Sequence, residues 1–270
     1  MTDLPNPRML LLDRRGPNLY VTLNNPERRN ALSGEMVEEL IEVLDAIAPD
    51  RSVRTLIMRG AGGFFCAGGD IKGFKAGFQA DADPRAIAAS NRTFGDFLIR
   101  LNTLPQTVIM LVEGAAMGGG LGLVCVSDVA ICDQHTRFSM TETSLGIPPA
   151  QIAPFVAERL GITQSRRLML TGARFKGEEA LKLGLVHYCE GNAVGMETRL
   201  EEVLDQIDRS APAANAATKD IVLTSRHTDL SDTLDMAARH FADCMLSDEG
   251  REGVSAFLEK RNARWIVRGK

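Results

Sequence analysis

The run Met117-Gly118-Gly119-Gly120-Leu121-Gly122 follows the apolar segment Thr107 to Val112 after four residues. That segment reads as a buried strand. Three consecutive glycines after it let other groups reach the main chain and permit positive φ. A helix starting at these glycines leaves its first N–H groups without internal partners, facing outward as a site for negative charge. A second glycine turn, Phe65-Cys66-Ala67-Gly68-Gly69-Asp70-Ile71-Lys72, also follows a strand pattern, Thr55 to Arg59. Two such turns supply two converging backbone N–H donors, the arrangement of an oxyanion hole. Either turn alone is more often an ordinary tight turn.

The remaining features bound the class of protein. A length of 270 residues suits one large domain or a domain with an appendage. The net charge of −4 gives no general affinity for polyanions, so no nucleic-acid partner is expected. Basic pairs at Arg28-Arg29 and Arg166-Arg167 read as solvated surface. The five cysteines form no CxxC pair and read as reduced thiols of a cytoplasmic protein. Residues 1–8 contain no apolar stretch, so no signal peptide is expected. Gly114 to Val126 is too short and too glycine-rich to span a bilayer, so no membrane partner is expected. The four histidines (135, 187, 227 and 240) show no metal-ligand spacing, and no metal or redox cofactor is implied.

Periodicity gives a rhythm of strand, strand, helix, followed by helices alone. Strands are predicted at Met9 to Leu12, Leu19 to Leu23, Val53 to Arg59, Thr107 to Val112, Val129 to Cys132, Arg137 to Met140 and Val186 to Cys189. Ser33 caps a predicted helix from Gly34 to about Ala48. Helices are also predicted over Ala86 to Asn102, Ala153 to Leu160, Gln164 to Thr171 and Glu178 to Leu183. Four more follow: Glu197 to Ser210, Ala213 to Thr224, Leu230 to Leu246 and Glu249 to Arg261. The order argues an α/β core with a helical C-terminal part.

Several stretches together now resemble one family. They are Asn25-Pro26-Glu27-Arg28-Arg29-Asn30-Ala31-Leu32, the turn Phe65 to Lys72, the run Glu113 to Gly120, Phe138 to Pro148, and Ala256-Phe257-Leu258-Glu259-Lys260-Arg261. In this order they resemble the crotonase (enoyl-CoA hydratase/isomerase) superfamily over nearly the whole chain. The resemblance implies an α/β crotonase (ClpP/crotonase-like) spiral of ββα repeats with a C-terminal helical association region. Residues 1–200 would form the acyl-CoA-binding catalytic core. Residues 201–270 would mediate oligomerisation, as a trimer or dimer of trimers, and complete the CoA site. Met236, Ala237, Phe241 and Met245 have a spacing that suits either such an interface or an internal core.

Residue by residue, the resemblance implies that the N–H groups of Gly69 and Gly119 hold a thioester oxygen. Glu142 is the implied general base. Many hydratases of this kind use two glutamates, and the position of the first is Gly122 here, which cannot act. Glu142 to Val156, Val124 to Ile131 and Ala211 to Lys219 are similar to the glutaconyl-CoA hydratase branch, where a single glutamate is retained. The implied reaction is hydration of a 3-branched glutaconyl-CoA, with isohexenylglutaconyl-CoA as the first substrate. A 3-methylglutaconyl-CoA, a generic enoyl-CoA, or isomerisation instead of hydration remain open. Arg28, Ala31, Ala67, Asp70, Ile71 and Lys72 are implied to hold the CoA moiety. Phe257 and Lys260 are implied to reach its adenine end, from a neighbouring subunit in some members. No cofactor is needed besides the coenzyme A of the substrate. Phe74, Phe78, Phe94 and Phe97 follow the first turn and suit either core or acyl pocket; Lys75 and Arg92 are candidate partners for a distal carboxylate.

Overall fold

The structure is a computed structural model that describes residues 4–70 and 82–266. It opens with the hairpin β1 (Leu10–Arg15) and β2 (Asn18–Leu23), then α1 (Gly34–Ile47) and β3 (Thr55–Gly60). Next come α2 (Pro84–Asn102), β4 (Thr107–Val112), β5 (Ala115–Met117) and α3 (Gly119–Cys125). The strands β6 (Val129–Asp133) and β7 (Arg137–Ser139) precede α4 (Ala153–Thr171), β8 (Arg174–Lys176), α5 (Gly177–Lys182) and β9 (Tyr188–Glu190). Four helices close the chain: α6 (Ala193–Asp208), α7 (Pro212–Thr224), α8 (Leu230–Leu246) and α9 (Asp248–Leu258). No helix among the described residues is long and apolar enough to cross a membrane.

Six strands form one sheet in the order β1-β2-β3-β4-β6-β9, parallel except for the first hairpin. Strands buried on both faces read as near-continuous apolar runs, and β4 (TVIMLV) is apolar from Val108 to Val112. Its Val108, Met110 and Val112 enter the main core, while Ile109 and Leu111 meet Met196, Leu200 and Leu204 of α6 on the other face. The predicted strands and helices fall at these elements, with ends that differ by a few residues. The two predicted helices 153–160 and 164–171 are both present within α4, parted at Gly161, whose φ of 72° and ψ of 158° are not helical. The small sheet β5-β7-β8 includes two three-residue strands that no periodicity announces.

The C-terminal helices are tied to the amino ends of the parallel strands. Arg54, just before β3, donates to the carbonyls of Ile207 (2.9 Å) and Trp265 (3.0 Å). Lys219 of α7 donates to Gln106 O (3.1 Å) and Asp128 Oδ2 (2.7 Å), just before β4 and β6. Both glycine turns lie beyond the opposite, carboxyl ends of β3 and β4, the second one after the short strand β5. Residue 200 lies inside α6, which runs unbroken from Ala193 to Asp208 and covers the sheet.

One buried polar residue organises the entrance to the first turn. Asn30 is fully buried, and both it (φ 54°) and Arg29 (φ 52°) adopt left-handed backbone. Asparagine tolerates that conformation better than most residues. Its Oδ1 accepts from Asn25 N (2.9 Å), and its Nδ2 donates to the carbonyls of Ala61 (2.9 Å) and Phe64 (2.6 Å). The segment 25–32 is thereby fixed to the end of β3. Asn30→Ala removes these bonds and strands buried carbonyls, so urea melts are expected to show a loss of about 3 kcal/mol. A loss under about 0.5 kcal/mol would mean that the loop is held by other groups.

Candidate active site

After β3 the chain runs between two neighbours. Cys66 N donates to Ala115 O (3.0 Å), and Met117 N donates back to Cys66 O (3.0 Å). On the other side Ala67 N donates to Arg29 O (2.9 Å), Leu32 N to Gly68 O (2.8 Å) and Asp70 N to Leu32 O (3.1 Å). Gly69 N is skipped by this ladder and has no hydrogen-bond partner among the described residues. Gly119 N is the first N–H of α3, so it has no intrahelical partner either.

The two N–H groups lie side by side. A Cβ built on Gly119 would stand 3.7 Å from Gly69 N, and one built on Gly68 would stand 3.6 Å from Gly119 N. Gly68 (φ 93°) could not carry that Cβ, which would meet Met117 O at 2.9 Å. Gly118 combines φ 47° with ψ −118°, a conformation that glycine alone adopts readily. Its N–H donates to Ser139 O (2.9 Å), which turns the next peptide outward into α3.

Glu142 completes the group. It begins a short 3-10 turn, Glu142–Leu145, after β7. A Cβ on Gly118 would lie 2.6 Å from Glu142 Oε1, so the carboxylate rests on the main chain beside the Gly119 N–H. Its Oε2 is buried and has no hydrogen-bond partner among the described residues. Burial raises the carboxyl above the ordinary glutamate value, opposed only in part by a backbone hydrogen bond. On the facing side, Phe94 Cζ lies 3.3 Å and Leu32 Cδ1 3.2 Å from the position of a Gly119 Cβ. Cys66 lies under the turn, where burial pushes its thiol up to about 12, so it stays a neutral packing group.

No side chain fits at Gly122. A Cβ there would collide with Ile152 Cγ2 and stand 3.1 Å from Ile152 Cβ. The first carboxylate of the two-glutamate pattern is therefore replaced by hydrocarbon from a residue 30 positions away.

Two adjacent N–H groups without a partner among the described residues, beside one desolvated carboxylate, can hold an oxyanion and move a proton next to it. Comparison with known proteins agrees with this chemistry. Residues 17–268 match the family described as Enoyl-CoA hydratase/isomerase. The chain belongs to the enoyl-CoA hydratase/isomerase family. Among similar solved structures is Pseudomonas aeruginosa AtuE, at 53% identity and a TM-score of 0.92 over 96% of this chain and 100% of that one. An enoyl-CoA hydratase/isomerase from Marinobacter aquaeolei is 43% identical with a TM-score of 0.92, covering 96% and 99% of the two chains. Carnitinyl-CoA dehydratase of Proteus mirabilis is 32% identical over 262 residues, 95% of this chain and 97% of the relative.

The other residues predicted for a family member's site are placed unevenly. Ala31, Ala67 and Asp70 lie in the ladder beside the N–H pair. Arg28 pairs with Asp70 at 3.1 Å, with its side chain half exposed at the rim. Ile71, Lys72, Phe74, Lys75 and Phe78 lie outside the described residues. Phe97 is core, whereas Phe94 faces the site. Arg92 is paired with Asp96 at 2.6 Å along α2. Phe257 lies in the last turn of α9 and Lys260 two residues past its end, on the helical region anchored to the far end of the strands, and Phe257 is 82% exposed. Asn30 and Ile152 escaped the sequence reading. An asparagine beside Arg-Arg hints at left-handed backbone, but nothing local marks Ile152.

The raised carboxyl of Glu142 has a signed consequence for stability. Below the ordinary glutamate value both folded and unfolded chains are protonated at this residue. As pH rises from that value through the raised one, the unfolded chain ionises first, so stability falls. Glu142→Gln is expected to melt at a higher temperature than wild type at pH 7 and at the same temperature at pH 4. A lower melting temperature at pH 7 would contradict the desolvated setting.

Proposed function

We propose that this enzyme adds water to the C2=C3 bond of a 3-branched glutaconyl-CoA, with isohexenylglutaconyl-CoA as its substrate. The observation that carries the reading is the single desolvated carboxylate of Glu142 beside the N–H groups of Gly69 and Gly119, opposite an apolar wall. Glu142 takes a proton from water as the water oxygen bonds to C3. The C2=C3 electron pair moves toward the thioester, and negative charge gathers on its oxygen. The two N–H groups bind that enolate more strongly than the neutral thioester, which lowers the barrier. The proton held by Glu142 then passes to C2, giving the tertiary 3-hydroxyacyl-CoA. The steps as written use no metal or redox group; coenzyme A enters with the substrate. The likeness of Glu142 to Val156 to the glutaconyl-CoA branch supports the branched substrate.

On this reading Arg28, Ala31, Ala67, Asp70, Ile71 and Lys72 hold the CoA moiety within one chain. Phe257 and Lys260 reach the adenine end of a neighbouring subunit's site, in a cytoplasmic trimer or dimer of trimers. Supporting association, Leu230, Leu234, Phe241, Leu246, Phe257 and Leu258 are 60–82% exposed on the C-terminal helices. Such a set of apolar residues is an interaction surface more often than a solvated one.

The test is steady-state hydration of isohexenylglutaconyl-CoA, 3-methylglutaconyl-CoA and crotonyl-CoA. The isohexenyl compound is expected to have the highest kcat/KM. Glu142→Gln is expected to lower kcat by about 10²–10⁴-fold with little change in KM. Activity should fall on the acid side through a limb displaced above the ordinary glutamate range, because the base must be ionised. Preference for the methyl compound would move the substrate to the smaller thioester. Shift of the double bond without gain of water would make the enzyme an isomerase.

A further inference from the structure

The site is built in two layers, and the deeper one is closed. Gly118 and Gly119 face Glu142 Oε1 and Phe94 Cζ, and both glycines are partly accessible. One turn further along α3, about 5 Å deeper, Gly122 is buried and faces Ile152 and Leu98 Cδ1 (3.9 Å from its Cβ position). Phe94 and Leu98 are four residues apart on α2, so they share a face and repeat the same step. Leu98 is fully buried and Ile152 is 3% exposed.

Ile152 is held firmly at this depth. Its carbonyl accepts from Val156 N (2.9 Å) at the start of α4. Its neighbour Gln151 seats over Gly95 of α2, where a Cβ would collide with Gln151 Oε1. Gln151 Nε2 donates to Asn91 Oδ1 at 2.8 Å on the same helix. A wall fixed at both ends yields little to a ligand that presses on it.

We propose that Ile152, backed by Leu98, is the floor of the acyl chamber and sets the length of hydrocarbon that the enzyme accepts. This rests on the reading that the acyl group lies between Glu142 and the two N–H groups. An apolar floor receives an alkyl chain and rejects a carboxylate, whose desolvation it cannot repay. The hydrocarbon branch of the substrate therefore ends at Ile152, and any distal carboxylate leaves by another side.

The experiment uses saturated thioesters that cannot be hydrated: butanoyl-, hexanoyl-, octanoyl- and decanoyl-CoA, titrated calorimetrically into the whole enzyme. Relative to wild type, Ile152→Ala is expected to move the tightest-binding chain up by about two carbons, with a gain of at least about fivefold for the longer chain. Ile152→Val should move the ranking in the same direction by less, and Ile152→Phe should move it down. An unchanged ranking in Ile152→Val and Ile152→Phe, both folded by circular dichroism, would overturn the proposal. A second leg tests the packing alone. Gly122→Glu should lower the melting temperature, and adding Ile152→Ala should restore part of the loss; additive losses would overturn it. A shifted ranking without hydration of any substrate would keep the floor and refute the reaction. Hydration with an unshifted ranking would do the reverse.

Discussion

Gly120 packs its Cα onto Cys66, where a Cβ would stand 2.7 Å from Cys66 Cβ and 2.9 Å from the Cys66 carbonyl oxygen. That close approach of main chain to main chain is what the site depends on. It joins the turn after β3 to the turn after β5 and brings the Gly69 and Gly119 N–H groups close together. Hydrogen bonds in both directions between Cys66 and the strand Ala115–Met117 fix the spacing. Preorganised donors of this kind stabilise developing charge without rearranging during the reaction. Side chains at these glycines would separate the turns by more than the site tolerates.

The sheet beneath makes the approach possible. Apolar residues 108–112 of β4 are buried on both faces, so the turns emerge from a rigid base. Helices α6 to α9 anchor at the other end of the strands through Arg54 and Lys219. The exposed apolar residues of the C-terminal helices and the two glycine turns therefore occupy opposite ends of the strands.

Much of this was legible from local chemistry. The apolar run 107–112 became β4 residue for residue, and Ser33 caps α1 by accepting from Met36 N. The glycine runs and Glu142 were legible as motifs, and the fold brings Gly69, Gly119 and Glu142 together. Strands as short as Ala115–Met117 carry too few residues to show a period. Ile152 was not legible at Gly122, because that contact joins residues 30 apart and depends on how α4 meets α3. Phe94 and Phe97 show the same limit: three positions apart on one helix, one faces the site and the other the core. Sequence spacing fixes which face a residue occupies, and only packing decides what that face meets.

The central claim is that two backbone N–H groups, aligned by contact between the turns, polarise a thioester carbonyl. An isotope-edited infrared spectrum of the carbonyl of a bound enoyl-CoA measures this directly. The carbonyl stretch is expected at lower frequency than for the same thioester in water. Part of that shift should be lost in Gly120→Ala, which pries the turns apart. A bound carbonyl at its free frequency, or one equally shifted in wild type and Gly120→Ala, would contradict the account.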